Sequence, residues 1–298
     1  MIMKKIIWAV PVIFCCTVTS AQELYVNTEP ASNMAAGSMG LRFLSRYYKM
    51  NYNDAFSSYR LEPEVMLGLG KRWMVHLAGY GSNMYQKAFR IEGGSLYAKY
   101  RIYSEDAVHE HFRIAAFSKV SIISNPSQLL VTRKKIVPDG NGGFTEQVYT
   151  SYDKNEEFDL DGNNSGILAG AVATKLVHKL AASGSVSYGY RFNSRGDTFG
   201  GGEFLHAVNY SASLGYLFLP HTYTSYNQTN VNLYIEFLGT SFPGTRKSYL
   251  DVAPAIQFIF KSIARVDLSY RSQLAGNAQR LSSDYLLLRL EYNLLNVF

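Results

Sequence analysis

The 298-residue chain contains only two cysteines, Cys15 and Cys16, and both lie close to its N-terminus. They fall within a stretch that reads as an export signal, so the mature protein is expected to carry no disulfide framework and no thiol nucleophile. Charge is sparse: 17% of residues are Asp, Glu, Lys or Arg, with a formal net charge of +6. Losing Lys4 and Lys5 with the signal takes +6 to +4, too mild a surplus to point to nucleic acid. After the N-terminus no apolar run approaches the ~18 residues that a transmembrane helix needs. The chain is therefore either soluble or crosses a membrane as strands.

At the N-terminus, Lys4 and Lys5 precede an apolar run from Ile6 to Cys16, followed by Thr-Val-Thr-Ser-Ala-Gln. This is a charged region, a short apolar region and a small-residue cleavage site, with Thr19 at −3 and Ala21 at −1. Residues 1–21 are expected to be a cleaved signal peptide, leaving a single domain over 22–298. The run is too short to anchor the chain as a membrane-spanning helix.

From Ser38 onward, segments of alternating character are separated by clusters of Gly, Asn, Asp and Ser. Ala264, Val266, Leu268 and Tyr270 share one parity, and Arg265, Asp267, Ser269, Arg271 and Gln273 the other. Likewise Tyr59, Leu61, Pro63, Val65, Leu67 and Leu69 alternate with Arg60, Glu62 and Glu64. Successive side chains of a strand point to opposite faces, so one face is apolar and the other charged. A helix would spread both sets around its circumference. Twelve segments follow this pattern: 38–49, 58–70, 72–84, 92–104, 110–124, 164–177, 179–193, 204–218, 228–239, 248–260, 262–274 and 284–298.

Connection lengths add a second regularity. Gly70-Lys71-Arg72, His178 and Lys261-Ser262 are short and fall on one side, whereas the longest loop, 125–163, falls on the other. Connection 219–227 is longer than its side predicts. Short turns at one end and long loops at the other characterise outer-membrane barrels. Soluble sandwich strands run nearer 5–6 residues, shorter than these segments. Tyr47, Tyr48, Trp73, Tyr85, Phe192, Phe218, Phe260 and Tyr285 lie near segment ends, where membrane barrels carry aromatic girdles. The expected fold is an all-β, closed, antiparallel, up-and-down barrel of about 12 strands.

The last segment, Asp284-Tyr-Leu-Leu-Leu-Arg-Leu-Glu-Tyr-Asn-Leu-Leu-Asn-Val-Phe298, resembles the C-terminal β-signal of Gram-negative outer-membrane proteins. Leu286, Leu288, Leu290, Tyr292, Leu294 and Phe298 share a face, with Asn296 departing from the alternation. The resemblance implies recognition by the barrel-assembly machinery, with Tyr292, Leu294 and Phe298 as the assembly signal, and contact with outer-membrane lipid and lipopolysaccharide. The Ser-Ala-Gln site and Glu-Pro-Ala-Ser-Asn-Met (29–34) also resemble uncharacterised barrels of the Bacteroidota, which brings no assigned function.

The non-lipid parity assigns Arg42, Arg46, Arg60, Lys99, Arg101, Arg113, Lys119, Lys175, Arg191, Arg265, Arg271 and Arg289 to the lumen. The acids there are Glu62, Glu64, Glu236, Asp251, Asp267 and Glu291. Such a lumen is wet and net positive, which suits a narrow passive channel for small polar or anionic solutes. Its alternative is an interior closed by paired charges, with Arg60 bridging Glu62 and Glu64, and Asp267 bridging Arg265 and Arg271. Eight strands enclose packed side chains and 16–18 leave an open pore, so twelve falls between.

A third reading is an interaction barrel acting through loop 125–163, for which deletion of 136–160 abolishes partner capture without changing permeability. A lipid hydrolase is the remaining class. Twelve-stranded outer-membrane phospholipases place Ser and His on the outer wall, and His206 shares the lipid-facing parity of Val208, while His76 has the opposite parity to Val75. No Gly-x-Ser-x-Gly turn accompanies them. His109, Glu110 and His111 read as a solvated turn, and Gly200-Gly201-Gly202 as a loop tip. Asp159-Leu-Asp161-Gly162-Asn163 spaces oxygens as calcium loops do but lacks the distal Glu, leaving Asp159 and Asp161 as weak metal candidates. No cofactor is expected, and the oligomeric state is left open. The stretch Gln22–Gly37 is too short for the folded plug of TonB-dependent transporters, and no passenger domain for an autotransporter is visible.

Overall fold

The two-residue alternation closes into a ring. The computed structural model describes residues 25–50, 58–86, 88–107, 110–126, 128–140, 142–192, 204–222 and 227–298. The expected signal peptide, His109 and Gly200–Gly202 lie outside the described residues.

Twelve strands form the wall: β1 (Ser38–Met50), β2 (Ser58–Gly68), β3 (Trp73–Ser82), β4 (Arg90–Ala107), β5 (Glu110–Ile123), β8 (Gly166–Val177), β9 (Leu180–Arg191), β10 (His206–Leu219), β11 (Asn230–Ser241), β12 (Ser248–Phe260), β13 (Ala264–Gly276) and β14 (Ser282–Leu294). Each pairs antiparallel with the next in this order, β5 directly with β8, and β14 pairs with β1 to close the barrel. The closing register runs from Met39 opposite Leu294 to Tyr48 opposite Tyr285. Closure leaves no unpaired strand edge in the wall.

The turn between β12 and β13 holds Lys261 and Ser262 at φ of 50° and 58°. Positive φ at both central residues is the type I′ geometry, whose twist matches that of the flanking strands. At the other end, the 125–163 stretch is not a structureless loop. It contains a two-stranded ribbon, β6 (Gln128–Pro138) and β7 (Phe144–Lys154), hydrogen-bonded to each other and to no wall strand. The alternation in β6 and β7 is diluted by Thr, Gln and Lys on both faces, and the sequence reading passes over it.

The wall sorts its side chains as the parity predicts. Leu41, Phe43, Leu77, Tyr210, Leu233, Leu268, Leu286, Leu290 and Tyr292 are exposed on the outside, while the opposite set is buried within. The aromatic set divides. Tyr47, Trp73, Phe192, Phe218 and Phe260 are exposed, but Tyr48 and Tyr285 are buried, with their rings 5.3 Å apart. Both belong to the inward parity, where the guanidinium groups of Arg60 and Arg271 lie over them. Tyr85 also turns toward the interior, its hydroxyl donating to Asn163. The last strand stops at Leu294; Asn296 takes a left-handed backbone (φ 55°), so Phe298 lies beyond the ladder and is exposed.

Candidate functional site: the charged lumen

Every wall strand contributes inward side chains, and the charged ones pair across strands rather than along them. Arg60 takes Glu92 at 2.9 Å, not Glu62 or Glu64. Glu62 pairs with Arg46 at 2.9 Å, and Glu64 with Arg42 at 3.0 Å. Glu291 receives Arg42 at 2.9 Å and also Arg265. Asp267 pairs with Arg289, and Asp251 with Arg271 at 2.7 Å and Arg280 at 2.8 Å. Facing residues on adjacent strands, such as Arg42 with Glu64 and Glu291, Arg265 with Glu291 and Asp267 with Arg289, come within about 4.5–5.5 Å, closer than i and i+2 along one strand, while Arg60 reaches past β3 to Glu92 on β4.

Of the eighteen charged residues that parity assigns to the lumen, most are where it puts them, Arg46 among them, paired with Glu62. Arg42, Arg60, Glu62, Lys99, Arg191, Glu236, Asp251, Arg265, Asp267, Arg289 and Glu291 are buried inside the barrel. Glu64, Lys119 and Arg271 are nearly so. Arg113 reaches Ser32 at 2.8 Å near the short-turn end. Arg101 sits at that rim, bonded to the carbonyl of Lys71 and partly exposed. Lys175, also read as inward, faces out. Thr174 is the inward neighbour, and Lys175 pairs with the exposed Glu110.

Two further chain segments enter the lumen, and parity could not announce either. From the short-turn end, residues 25–36 run back inside. The amides of Val26, Asn27 and Thr28 donate to the Glu236 carboxylate at 3.0, 2.8 and 3.0 Å. Lys99 Nζ donates to the carbonyls of Pro30 and Ser32, both at 2.7 Å. Arg289 Nη2 donates to the Tyr25 carbonyl at 2.9 Å. A buried main chain outside regular structure needs partners for its amides and carbonyls, and these wall residues supply them. Met34, Met66 and Met74 pack together at the base.

From the long-loop end, residues 155–165 fold inward. Arg60 Nη2 donates to the carbonyl of Gly162 at 3.1 Å and to Asn163 Oδ1 at 2.7 Å. Asp161 pairs with Lys119 and accepts from the Tyr80 hydroxyl at 3.1 Å. Gly162 lies at φ +109°, where an added Cβ would stand 2.6 Å from Arg60 Nε. Phe158 and Leu160 join Phe204, Phe242 and Tyr249 in an apolar cluster around this segment. The two weak metal candidates thus stand inside the barrel but only partly shielded, with side chains 22% and 41% exposed. Asp159 and Asp161 face Arg60 and Lys119, and among the described residues no cluster of three acidic, His or Cys ligands for a metal forms.

These segments also change the charge balance. Glu29 pairs with Arg42 at 2.6 Å, Asp159 and Asp161 join the lumen as well, and wall strand β4 adds Glu92. The positive surplus expected from the wall strands is largely neutralised in this conformation. Burial alone would raise the Glu29 and Asp161 carboxyls, but neighbouring cations outweigh it. Arg42, His76 and Lys99 hold Glu29 well below the usual carboxylate range, as Lys119 and Arg46 do for Asp161. Asp159 moves the other way, raised by burial and by the adjacent Asp161.

Between the two segments remain neighbouring cavities of about 200 and 230 Å³, both bordered by Arg46, Phe117, Lys119 and Asp161. His76 lines the second, with Nδ1 2.7 Å from Glu64 Oε1. On the outside, His206 Nδ1 lies 2.7 Å from the Tyr188 hydroxyl, and its ring packs on Tyr188 and Tyr190.

No family model and no curated protein matches the chain. Among solved structures, an outer-membrane channel of Pseudomonas putida F1 superposes with a TM-score of 0.53 at 12% identity, covering 91% of this chain and 100% of that one. The likeness is one of fold. The monoaromatic hydrocarbon channel CymD matches more loosely, with a TM-score of 0.42, 9% identity and coverage of 87% and 88%.

Proposed function

We propose that this chain is an outer-membrane β-barrel acting as a narrow passive channel for small polar or anionic solutes, shut in the observed state by its two inward segments. The observation that carries the reading is a closed wall, apolar outside and charged within, whose lumen retains two cavities between segments held by ion pairs and hydrogen bonds. An apolar exterior without strand edges suits hydrocarbon, and a charged interior suits water. If 155–165 swings out, Arg46, Arg60 and Lys119 lose Asp159 and Asp161, and the passage becomes net positive. Rings of such groups favour anions. Export by cleavage after Ala21 and insertion through the assembly machinery's recognition of Tyr292, Leu294 and Phe298 belong to the same proposal.

Planar-bilayer recording tests it. The full chain should show rare openings, and a variant lacking 155–165 frequent, anion-selective ones; a correctly folded deletion variant that stays silent would end the channel reading.

A second reading has its own observation. Leu130, Ile136, Phe144, Val148 and Tyr152 are all exposed on one face of the β6–β7 ribbon, as a partner-binding surface would be. Deletion of 136–160 no longer separates the two readings, because 155–160 belongs to the lumen. Trimming the ribbon tip, 132–150, does: an interaction barrel loses partner capture while conductance is unchanged.

A further inference from the structure

Beside the larger of these two cavities lie polar atoms that have no partner among the described residues. His76 is 3% exposed, and its Nδ1 faces Glu64 Oε1 at 2.7 Å, while Glu64 Oε2 receives Arg42 Nη1 at 3.0 Å. A carboxylate only accepts, so Nδ1 carries a proton toward Glu64 and Nε2 is left to meet a further polar group. That Nε2 is buried and has no hydrogen-bond partner among the described residues. The hydroxyl of Tyr97, whose ring centroid lies 4.9 Å from that of His76, is likewise buried and unpartnered. Both residues line the cavity, whose walls also include the rings of Phe117 and Tyr80. Buried polar atoms without partners cost stability, and a pair of them beside one cavity marks a place where a ligand's polar groups are met.

The same cavity holds an anion site that is occupied from within. Asp161 pairs with Lys119 and accepts from Tyr80, which bonds Ser95 at 2.6 Å. Asp161 arrives on a segment that also fills the lumen, so its carboxylate stands where a solute carboxylate crossing the lumen would bind. A neutral polyol would leave Lys119 unpaired, and a simple carboxylate would leave His76 and Tyr97 unmet. About 230 Å³ admits a solute of monosaccharide size rather than an oligomer.

We infer that this cavity is a binding site for a small hydroxylated carboxylate, a sugar acid, whose carboxylate replaces Asp161 on Lys119 and Tyr80 and whose hydroxyls meet His76 Nε2 and the Tyr97 hydroxyl. The inference rests on the channel reading and names the solute class that it carries.

Titration calorimetry of the refolded full chain in detergent, with gluconate, glucose and acetate as probes, tests the site. Asp161→Asn removes the resident competitor and should tighten gluconate binding about tenfold, the size of a modest coupling between two ligands for one site. Tyr97→Phe and His76→Phe should each weaken gluconate binding about three- to tenfold, the worth of one hydrogen bond. Tyr97→Phe is the cleaner variant, because the lost hydroxyl has no partner among the described residues and a merely structural role predicts no change in affinity. Glucose and acetate should bind more weakly than gluconate. Acetate binding as tightly as gluconate, unchanged affinity in Tyr97→Phe, or no gluconate binding to folded Asp161→Asn would each overturn the inference. A folded Asp161→Asn barrel that conducts but binds no gluconate sinks this inference alone. Silence of the 155–165 deletion sinks the channel reading even if gluconate binds.

Discussion

Arg60 on β2 donates from Nη2 to the main-chain carbonyl of Gly162, 3.1 Å away, and so joins the barrel wall to a segment 102 residues later in the chain. Arg60 is fully buried, with Glu92 neutralising one edge of its guanidinium. A wall charge therefore serves as the anchor for the segment that closes the lumen.

That contact tolerates no side chain at position 162. In Gly162→Ala the Cβ meets Arg60 at a backbone conformation that L residues rarely adopt, a strain of about 1–3 kcal/mol. The closed state should lose roughly a factor of ten in relative population, equivalent to 1.4 kcal/mol within that range. Open probability in planar bilayers checks this; an unchanged value would separate the segment from gating.

At the opposite end, Glu236 is the anchor. Its carboxylate accepts from three main-chain amides and from the hydroxyl of Thr28 at 2.8 Å. Among the described ion pairs none involves Glu236, so the amides satisfy it. Glu236→Leu strands those donors and should cost about 2–3 kcal/mol, within the range for removing one partner of a buried charged hydrogen bond. Urea unfolding followed by gel mobility checks the value, and protease sensitivity near residue 28 should rise in the same variant.

Acidification should act on the gate in two stages. Asp159 has its pKa raised in the closed state, so that state binds the proton more tightly, and lowering pH from neutral favours closure. Asp161 and Glu29 are depressed; the stability they contribute is present above the ordinary carboxylate value and is lost only as pH falls well below it. Open probability should fall between pH 7 and about 4, the usual carboxylate range, and rise in stronger acid. Asp159→Asn should abolish the first stage alone.

The proposed lipid-facing wall can be tested against the β6–β7 ribbon. Leu268 is 40% exposed on β13, and Phe144 is 75% exposed on β7. Leu268→Arg should cost about 2–4 kcal/mol of folding stability in lipid vesicles, the penalty for Arg near the bilayer midplane. Phe144→Arg should change stability by no more than about 0.5 kcal/mol, as surface changes do. Equal tolerance of both would show that oil does not surround the wall.

Much of this architecture was legible in the chain. Arg265, Asp267, Ser269 and Arg271 alternate with Val266, Leu268 and Tyr270, and that rhythm places every one of them on the face it occupies. Position near a segment end misled where alternation did not: Tyr48 and Tyr285 look like girdle residues but stand on the inward parity and are buried. Alternation misplaced Lys175, one step from the inward Thr174. It carried nothing about Glu29 or Asp161, whose lumenal roles depend on partners far away in the chain, and it missed Glu92, which a register shift in β4 turns inward out of step with Ser95 and Lys99.

Local sequence sufficed for the wall because a strand between two media sorts side chains at every second residue, a constraint that needs no knowledge of distant neighbours. Only the folded molecule could decide what fills the interior. Residues 25–36 and 155–165 have no period, and they are held by hydrogen bonds and ion pairs to Glu236, Lys99, Arg60 and Lys119 that exist only after the ring has closed. Pairing energies between such groups depend on three-dimensional proximity, and proximity across a closed barrel is not written in the spacing of any one strand.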